Sequence, residues 1–90
     1  MFKTLEELIV VIRKRKGSSA EEFYTSKLLN NKKLSIEKVK EETAELIDAI
    51  KKNTNKVHES ADVLYHLMVL LEANDIKIED VMDELKKRQK

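Results

Sequence analysis

The chain has no proline and a single glycine among its 90 residues, so it lacks the residues that usually build tight turns and long loops. It also lacks cysteine, which excludes a disulfide framework, thiolate metal ligands and a cysteine nucleophile. The longest unbroken apolar runs, such as residues 8–12, have five residues, too few to span a bilayer, and no signal-peptide pattern is visible. These absences predict a soluble, helical protein of the cytoplasm with no membrane partner.

Aromatic side chains and net charge are also scarce. Two Phe, two Tyr and no Trp give bases no platform for stacking, and 18 basic against 17 acidic residues leave a formal net charge of +1. We therefore expect no nucleic acid as a partner. A chain of this size buries only a thin core by itself, so we expect a homodimer in which a second subunit completes the bundle.

Apolar residues recur at helical spacing along the whole chain. The predicted helices span residues 5–16, a short element within 19–29, residues 36–52, residues 56–73, and a last helix that starts at residue 78. The predicted capping and terminating residues are Thr4 with Glu7, Ser19 with Glu22, Gly17 and Ser35. The basic run 13–16 is interpreted as the cationic end of the first helix, with a phosphate-binding patch as the alternative. The sequence predicts one all-α domain over residues 1–90, a small bundle of four to five helices.

The third and fourth predicted helices each carry an apolar stripe, and the polar segment 53–55 between them predicts an antiparallel pair. The stripe residues are Ile36, Val39, Thr43, Leu46 and Ile50 on the third helix, and Val57, Ala61, Leu64, Met68 and Leu71 on the fourth. From residue 61 to residue 71 the fourth helix is apolar on nearly every side, which predicts that it is buried all round.

Ionisable residues nevertheless interrupt this apolar helix. Glu59, Asp62 and His66 fall within one sector of about 60°. On the third helix Glu42 and Glu45 are surface neighbours three residues apart, and antiparallel pairing would place them opposite Glu59 and Asp62. Converging carboxylates repel one another, whereas Mg²⁺ takes such oxygens as ligands. Solvated acidic faces are the alternative, but two pairs with one on a buried helix favour a Mg²⁺ site.

The acidic pattern resembles a known superfamily. Glu41-Glu42-x-x-Glu45, followed after thirteen residues by Glu59-x-x-Asp62, is similar to the signature of the all-α nucleoside triphosphate pyrophosphohydrolases. Within this superfamily, residues 59–71 resemble the phosphoribosyl-ATP pyrophosphohydrolase family of histidine biosynthesis. Three further segments are similar to stretches of the same family: residues 23–28, 38–42 and 78–81. The resemblance covers residues 21–88. The chain departs from the family at three positions: Phe23 stands where Ser is usual, Lys40 where Gly is frequent, and Lys77 where a capping Ser is common.

The resemblance implies an enzyme that uses Mg²⁺ to hydrolyse phosphoribosyl-ATP to phosphoribosyl-AMP and pyrophosphate. The implied catalytic residues are Glu41, Glu42, Glu45, Glu59 and Asp62, and the last four of them are the metal ligands. One of the four metal ligands, or Glu41, also orients and deprotonates the attacking water, and the sequence does not select which. The candidate substrate-binding residues are Tyr24, Lys27, Lys38 and His66. For each lysine a plain surface position is the alternative, and His66 could instead bond a carboxylate or serve as a structural histidine.

Two other functions stay open at this point. One is a house-cleaning enzyme that hydrolyses ordinary or damaged nucleoside triphosphates with the same acidic motif. The other is a non-catalytic helical interaction module, against which the intact acidic pairs count. The enzyme of the next pathway step, a cyclohydrolase, is a candidate for loose association with this chain.

Overall fold

The computed structural model describes residues 1–19 and 23–89. These residues form five α-helices: α1 (Lys3–Arg15), α2 (Tyr24–Leu29), α3 (Lys32–Lys52), α4 (Lys56–Ala73) and α5 (Ile78–Lys87). No β-strand occurs in this described part of the chain, so the prediction of an all-α fold is confirmed. Within the same residues, no helix has the length and apolar character that a membrane span requires.

Helices α3 and α4 form the central pair of the fold, a helical hairpin closed by three residues. Asn53 and Asn55 adopt positive φ angles of 57° and 46°, a region that asparagine tolerates better than most residues. Because so short a connection joins two long packed helices, the chain reverses and the pair is antiparallel, as predicted. The bounds of α4 and the start of α5 also match the prediction.

Two predicted helix starts are wrong. Helix α1 begins at Lys3, so Thr4 lies inside it, and no described side chain caps its N-terminus. Helix α3 begins at Lys32, because the Asn31 side chain accepts a hydrogen bond of 3.0 Å from the backbone N–H of Leu34. Ser35 is therefore not the N-cap.

The predicted end of α1 is also wrong at Gly17. The helix stops at Arg15, and Gly17 does not take the left-handed conformation. Glu22 lies outside the described residues, and with it the predicted capping box of Ser19 and Glu22. The short second helix does form, from Tyr24 to Leu29.

The hydrophobic core lies where α1, α2 and the C-terminal half of α4 meet. Its buried members are Ile12, Leu28, Leu29, Met68, Val69 and Ala73. Two serines are buried beside these apolar residues: Ser26 donates its hydroxyl to the Arg15 carbonyl, and Ser35 donates to the Leu28 carbonyl. Both buried hydroxyls are thus satisfied, and they tie α2 to α1 and to α3.

The predicted apolar stripes of α3 and α4 are only partly buried. On α3 the buried residues are Ser35, Glu42 and Ala49, seven apart, whereas Ile50 of the predicted stripe is 57% exposed. On α4, Val57 is 86% exposed and Leu64 is 48% exposed. The prediction that α4 is buried all round is therefore wrong for the single chain.

Candidate functional site

The predicted acidic residues of α3 and α4 converge where the two helices face each other. Glu42, Glu45 and Glu59 each place a carboxylate oxygen within 4.8 Å of those of the other two. We call these three residues the carboxylate cluster. Glu42 is buried, Glu59 is half-buried and Glu45 is exposed, so the cluster runs from the interior to the surface. The structure thus brings together three of the four predicted metal ligands.

The fourth predicted ligand, Asp62, belongs to an adjoining group. Asp62, Glu59 and His58 place potential ligand atoms within 4.8 Å of one another, so Glu59 links this group to the carboxylate cluster. Nε2 of His58 lies 3.3 Å from Oδ2 of Asp62. His58 was not among the predicted site residues, although its spacing of four residues from Asp62 on a helix predicts such a contact.

Two oxygens of the carboxylate cluster are buried without a hydrogen-bond partner among the described residues, namely Oε2 of Glu42 and Oε2 of Glu59. A buried, ionised oxygen is unfavourable unless a donor or a cation lies against it. Hard carboxylate oxygens in this number are ligands that suit Mg²⁺. The residues present therefore fit a divalent cation of this kind.

The pKa of Glu45 reports the same crowding of negative charge. A proton on Glu45 would form a hydrogen bond to Glu42, and this is the main reason that the pKa of Glu45 is raised. Repulsion by the charge of Glu42, desolvation and repulsion by Glu59 act in the same direction. The neighbouring negative charges therefore favour the protonated form of Glu45.

Lys38 supplies one positive charge from within the chain. Its Nζ lies 3.4 Å from Oε2 of Glu41 and 3.6 Å from Oε1 of Glu42. Partial burial lowers the pKa of Lys38, but Tyr24, Glu41 and Glu42 together outweigh that effect and raise it. Lys38 therefore stays charged beside the site, and Glu41 pairs with it rather than joining the carboxylate cluster.

His66 is buried next to Glu42. Its Nε2 lies 3.9 Å from Oε1 of Glu42, which is a close contact but longer than a hydrogen bond. Burial lowers the pKa of His66 more than the charge of Glu42 raises it, so the ring is neutral at pH 7. Of the roles that the sequence left open for His66, this position favours contact with a carboxylate.

Helix α2 borders the site next to His66. The ring of Tyr24 is half-exposed and meets the ring of His66 edge-on, with 6.2 Å between centroids. Lys27 is exposed on the same helix, and its role in substrate binding stays a prediction. Phe23, a departure from the family pattern, is covered by the guanidinium of Arg15, whose Cζ lies 3.8 Å from the ring centroid.

Known proteins resemble this chain over nearly its whole length. The sequence model of phosphoribosyl-ATP pyrophosphohydrolase matches residues 5–89. The phosphoribosyl-ATP pyrophosphatase of Methanococcoides burtonii is 42% identical over 98% of this chain and 94% of its own. That of Haloarcula marismortui is 42% identical over 94% of this chain and 92% of its own. The histidine biosynthesis bifunctional protein HisIE of Pyrococcus furiosus is 44% identical over 96% of this chain, which spans 41% of that protein. The chain therefore belongs to the phosphoribosyl-ATP pyrophosphohydrolase family, and the assignment made from residues 59–71 and the agreeing segments is confirmed.

Proposed function

We propose that this chain hydrolyses phosphoribosyl-ATP to phosphoribosyl-AMP and pyrophosphate at the carboxylate cluster, with Mg²⁺ as its cofactor. Family membership supplies the substrate, since relatives that are more than 40% identical carry the name phosphoribosyl-ATP pyrophosphatase. The observation that carries the metal is the pair of buried oxygens, Oε2 of Glu42 and Oε2 of Glu59, that find no donor among the described residues.

The chain would hold Mg²⁺ with its own carboxylates, beside the phosphate groups of the substrate. A triphosphate carries about four negative charges, which bare carboxylates would repel. When bound, Mg²⁺ neutralises both sets of oxygens and polarises the phosphorus–oxygen bonds. Glu42, Glu45 and Glu59 would serve as ligands, and Asp62 would extend the set because it lies against Glu59.

Two further side chains have roles at the edge of the cluster. The ammonium group of Lys38 lies beside Glu42 and is a point charge for a phosphate oxygen of the substrate. Glu41 is exposed and lies outside both acidic groups, and its Oε2 pairs with Lys38 at 3.4 Å. We assign to Glu41 the task of taking the proton from the attacking water.

The proposal includes a homodimer in which a second copy covers the exposed apolar surface. Helix α5 has no fully buried residue within the described part of the chain, and its Met82 and Leu85 are each 49% exposed. Ile47, Ile50, Val57 and Leu64 leave further apolar surface open on α3 and α4. An apolar surface of this kind on a soluble domain is typical of an interface between subunits.

Sedimentation of the Leu64→Lys variant tests the dimer. The parent should sediment as a dimer at micromolar concentration, whereas the variant places a charge in the apolar interface and should dissociate at least about tenfold more readily. Glu37→Gln, an exposed change on α3, is the control and should sediment like the parent. A parent that stays a folded monomer throughout this range would contradict the dimer.

The location and the partner enzyme are also part of the proposal. We place the reaction in the cytoplasm and expect a loose association with another enzyme of histidine biosynthesis. The bifunctional relative from Pyrococcus furiosus supports this association, because the chain matches only 41% of that longer protein.

The experiment that tests the function compares substrates. Purified protein with Mg²⁺ should release pyrophosphate from phosphoribosyl-ATP faster than from ATP or other nucleoside triphosphates. Equal or faster turnover of the ordinary triphosphates would assign the chain to the house-cleaning enzymes. Absence of pyrophosphate release from all of them would leave only the non-catalytic interaction module.

A further inference from the structure

A line of side-chain contacts connects Thr25 of α2 to Glu42 through Tyr65 and His66, to which the proposed function gives no role. The hydroxyls of Thr25 on α2 and Tyr65 on α4 share a hydrogen bond. The ring of Tyr65 lies edge-on to the ring of His66, with 4.9 Å between centroids and 77° between planes. Nε2 of His66 in turn faces Oε1 of Glu42 at 3.9 Å.

Each contact in this line restricts a rotation. The hydroxyl of Thr25 fixes the far end of the Tyr65 side chain, which is half-buried. The rings of Tyr65 and Tyr24 both meet the buried imidazole of His66 edge-on, at 4.9 and 6.2 Å between centroids. A ring that is buried and confined in this way has little freedom to turn, so its Nε2 stays directed at Glu42.

The two oxygens of Glu42 have different surroundings as a result. Oε1 is faced by two nitrogen atoms, Nζ of Lys38 at 3.6 Å and Nε2 of His66 at 3.9 Å. Oε2 is buried and has no hydrogen-bond partner among the described residues. The protein therefore occupies one side of this carboxylate and leaves the other oxygen for a cation.

We propose that Tyr65, anchored by Thr25, is a positioning residue that holds His66 against Oε1 of Glu42 and so keeps Oε2 free for the metal. The inference rests on the proposed function, because the orientation of Glu42 matters for activity only if Glu42 binds Mg²⁺. Residues that orient metal ligands in this way influence metal affinity without touching the metal.

The Tyr65→Phe variant tests this role, because it removes the hydroxyl and keeps the ring. The Mg²⁺ concentration that gives half of the rise in melting temperature is measured without substrate, and the concentration that gives half-maximal pyrophosphate release is measured alongside. Both should rise about tenfold, the lower end of the effect typical for residues that orient metal ligands. Thr25→Val should give the same rise, and the double variant should show no further rise, because both changes break one contact.

Two control variants separate positioning from a loss of stability. Thr25→Ser keeps the hydroxyl and should have the same Mg²⁺ requirement as the parent. Ser26→Ala removes the neighbouring buried hydroxyl, which donates to the Arg15 carbonyl at 2.9 Å. It should lower the melting temperature without Mg²⁺ and leave the half-saturating Mg²⁺ concentration unchanged.

The outcomes distinguish this inference from the proposed function. If the parent responds to Mg²⁺ and Tyr65→Phe and Thr25→Val require the same concentration as the parent, the positioning role is overturned and the proposed function stands. If the parent itself shows no response to Mg²⁺ in melting or in turnover, both are overturned.

Discussion

Acidic residues have opposite surroundings in two regions of the molecule. Around the C-terminal end of α1, each carboxylate faces a cation, in a group that we call the ion-pair cluster: Arg13, Lys16, Glu72, Asp75 and Glu79. Arg13 donates two hydrogen bonds to Glu79, of 3.0 and 2.5 Å, and Nζ of Lys16 lies 2.6 Å from Asp75. In the carboxylate cluster between α3 and α4, three carboxylates face one another, and Lys38 is the cation beside Glu42.

The pKa values move in opposite directions in the two clusters. Hydrogen bonding to Arg13 lowers the pKa of Glu79 to about 2, and Lys16 lowers that of Asp75 in the same way. The neighbouring Glu42 raises the pKa of Glu45. In the ion-pair cluster every carboxylate thus has a cationic partner within the chain, whereas we propose that the carboxylate cluster takes its cation from outside. This difference separates a structural group of charges from a functional one.

The largest effect should come from removing one charge in the acidic groups of the site. Glu45→Gln and Asp62→Asn keep the shape of the side chains but remove a ligand that Mg²⁺ needs, so turnover of phosphoribosyl-ATP should fall by orders of magnitude. The fold should survive both changes. Pyrophosphate release and circular dichroism of the purified variants measure the two expectations.

Acidic residues elsewhere provide the matched controls for this loss. Glu37→Gln on α3 and Glu79→Gln in the ion-pair cluster remove the same charge outside the site, and both should retain the turnover of the parent. If Glu45→Gln and Asp62→Asn retained turnover as these controls do, the acidic groups would be a solvated face and the mechanism would be wrong.

The next largest effect concerns stability, which the core supplies rather than the site. Leu28 of α2 is fully buried, so Leu28→Ala should lower the free energy of unfolding by about 2–5 kcal/mol through lost contacts and a cavity. Val10→Ala on the exposed face of α1 should change it by less than about 0.5 kcal/mol. Denaturant titration measures both variants. Equal losses in the two would show that the core lies elsewhere.

The smallest effect should come from acid acting on the ion-pair cluster. The pKa of Glu79 is lower in the folded chain, so the pair of Glu79 and Arg13 stabilises the fold at a pH above 4.5, the ordinary pKa of this group. The stabilisation is lost as the pH falls to about 2. Arg13→Gln removes the partner, so its melting temperature should fall less than that of the parent over this range. The difference should be small and should shrink with salt, since the pair is exposed. Identical pH profiles for parent and variant would contradict this role of Arg13.

Much of the fold and part of the site could be predicted from the sequence. The limits of α4 follow from apolar periodicity that ends at turn-forming asparagines, and these signals are local. The convergence of Glu42 with Glu59 follows from placing two acidic pairs on the antiparallel helices of one hairpin. The start of α3 could not be predicted, because the Ser35 hydroxyl bonds the Leu28 carbonyl of α2 instead of capping its own helix.

Contacts between distant segments explain the other failures. Arg13 and Glu79 are 66 residues apart, and nothing in the basic run 13–16 indicates which carboxylates it meets. The buried line of Ser35, Glu42 and Ala49 on α3 contains polar residues, so hydrophobicity alone favours the neighbouring stripe that includes Ile50. A partner subunit would account for that exposed stripe, and one sequence does not show which apolar face meets its own chain.

The central claim is that the carboxylate cluster, unlike the ion-pair cluster, is completed by a cation. The most direct test is the melting temperature of the parent, Glu45→Gln and Glu79→Gln as a function of Mg²⁺ concentration. The parent and Glu79→Gln should gain the same increase with Mg²⁺, as expected for an ion that binds only the folded chain. Glu45→Gln should start at or above the parent, because one repulsion is relieved, and should gain much less. No increase in the parent, or the same increase in all three proteins, would contradict the claim.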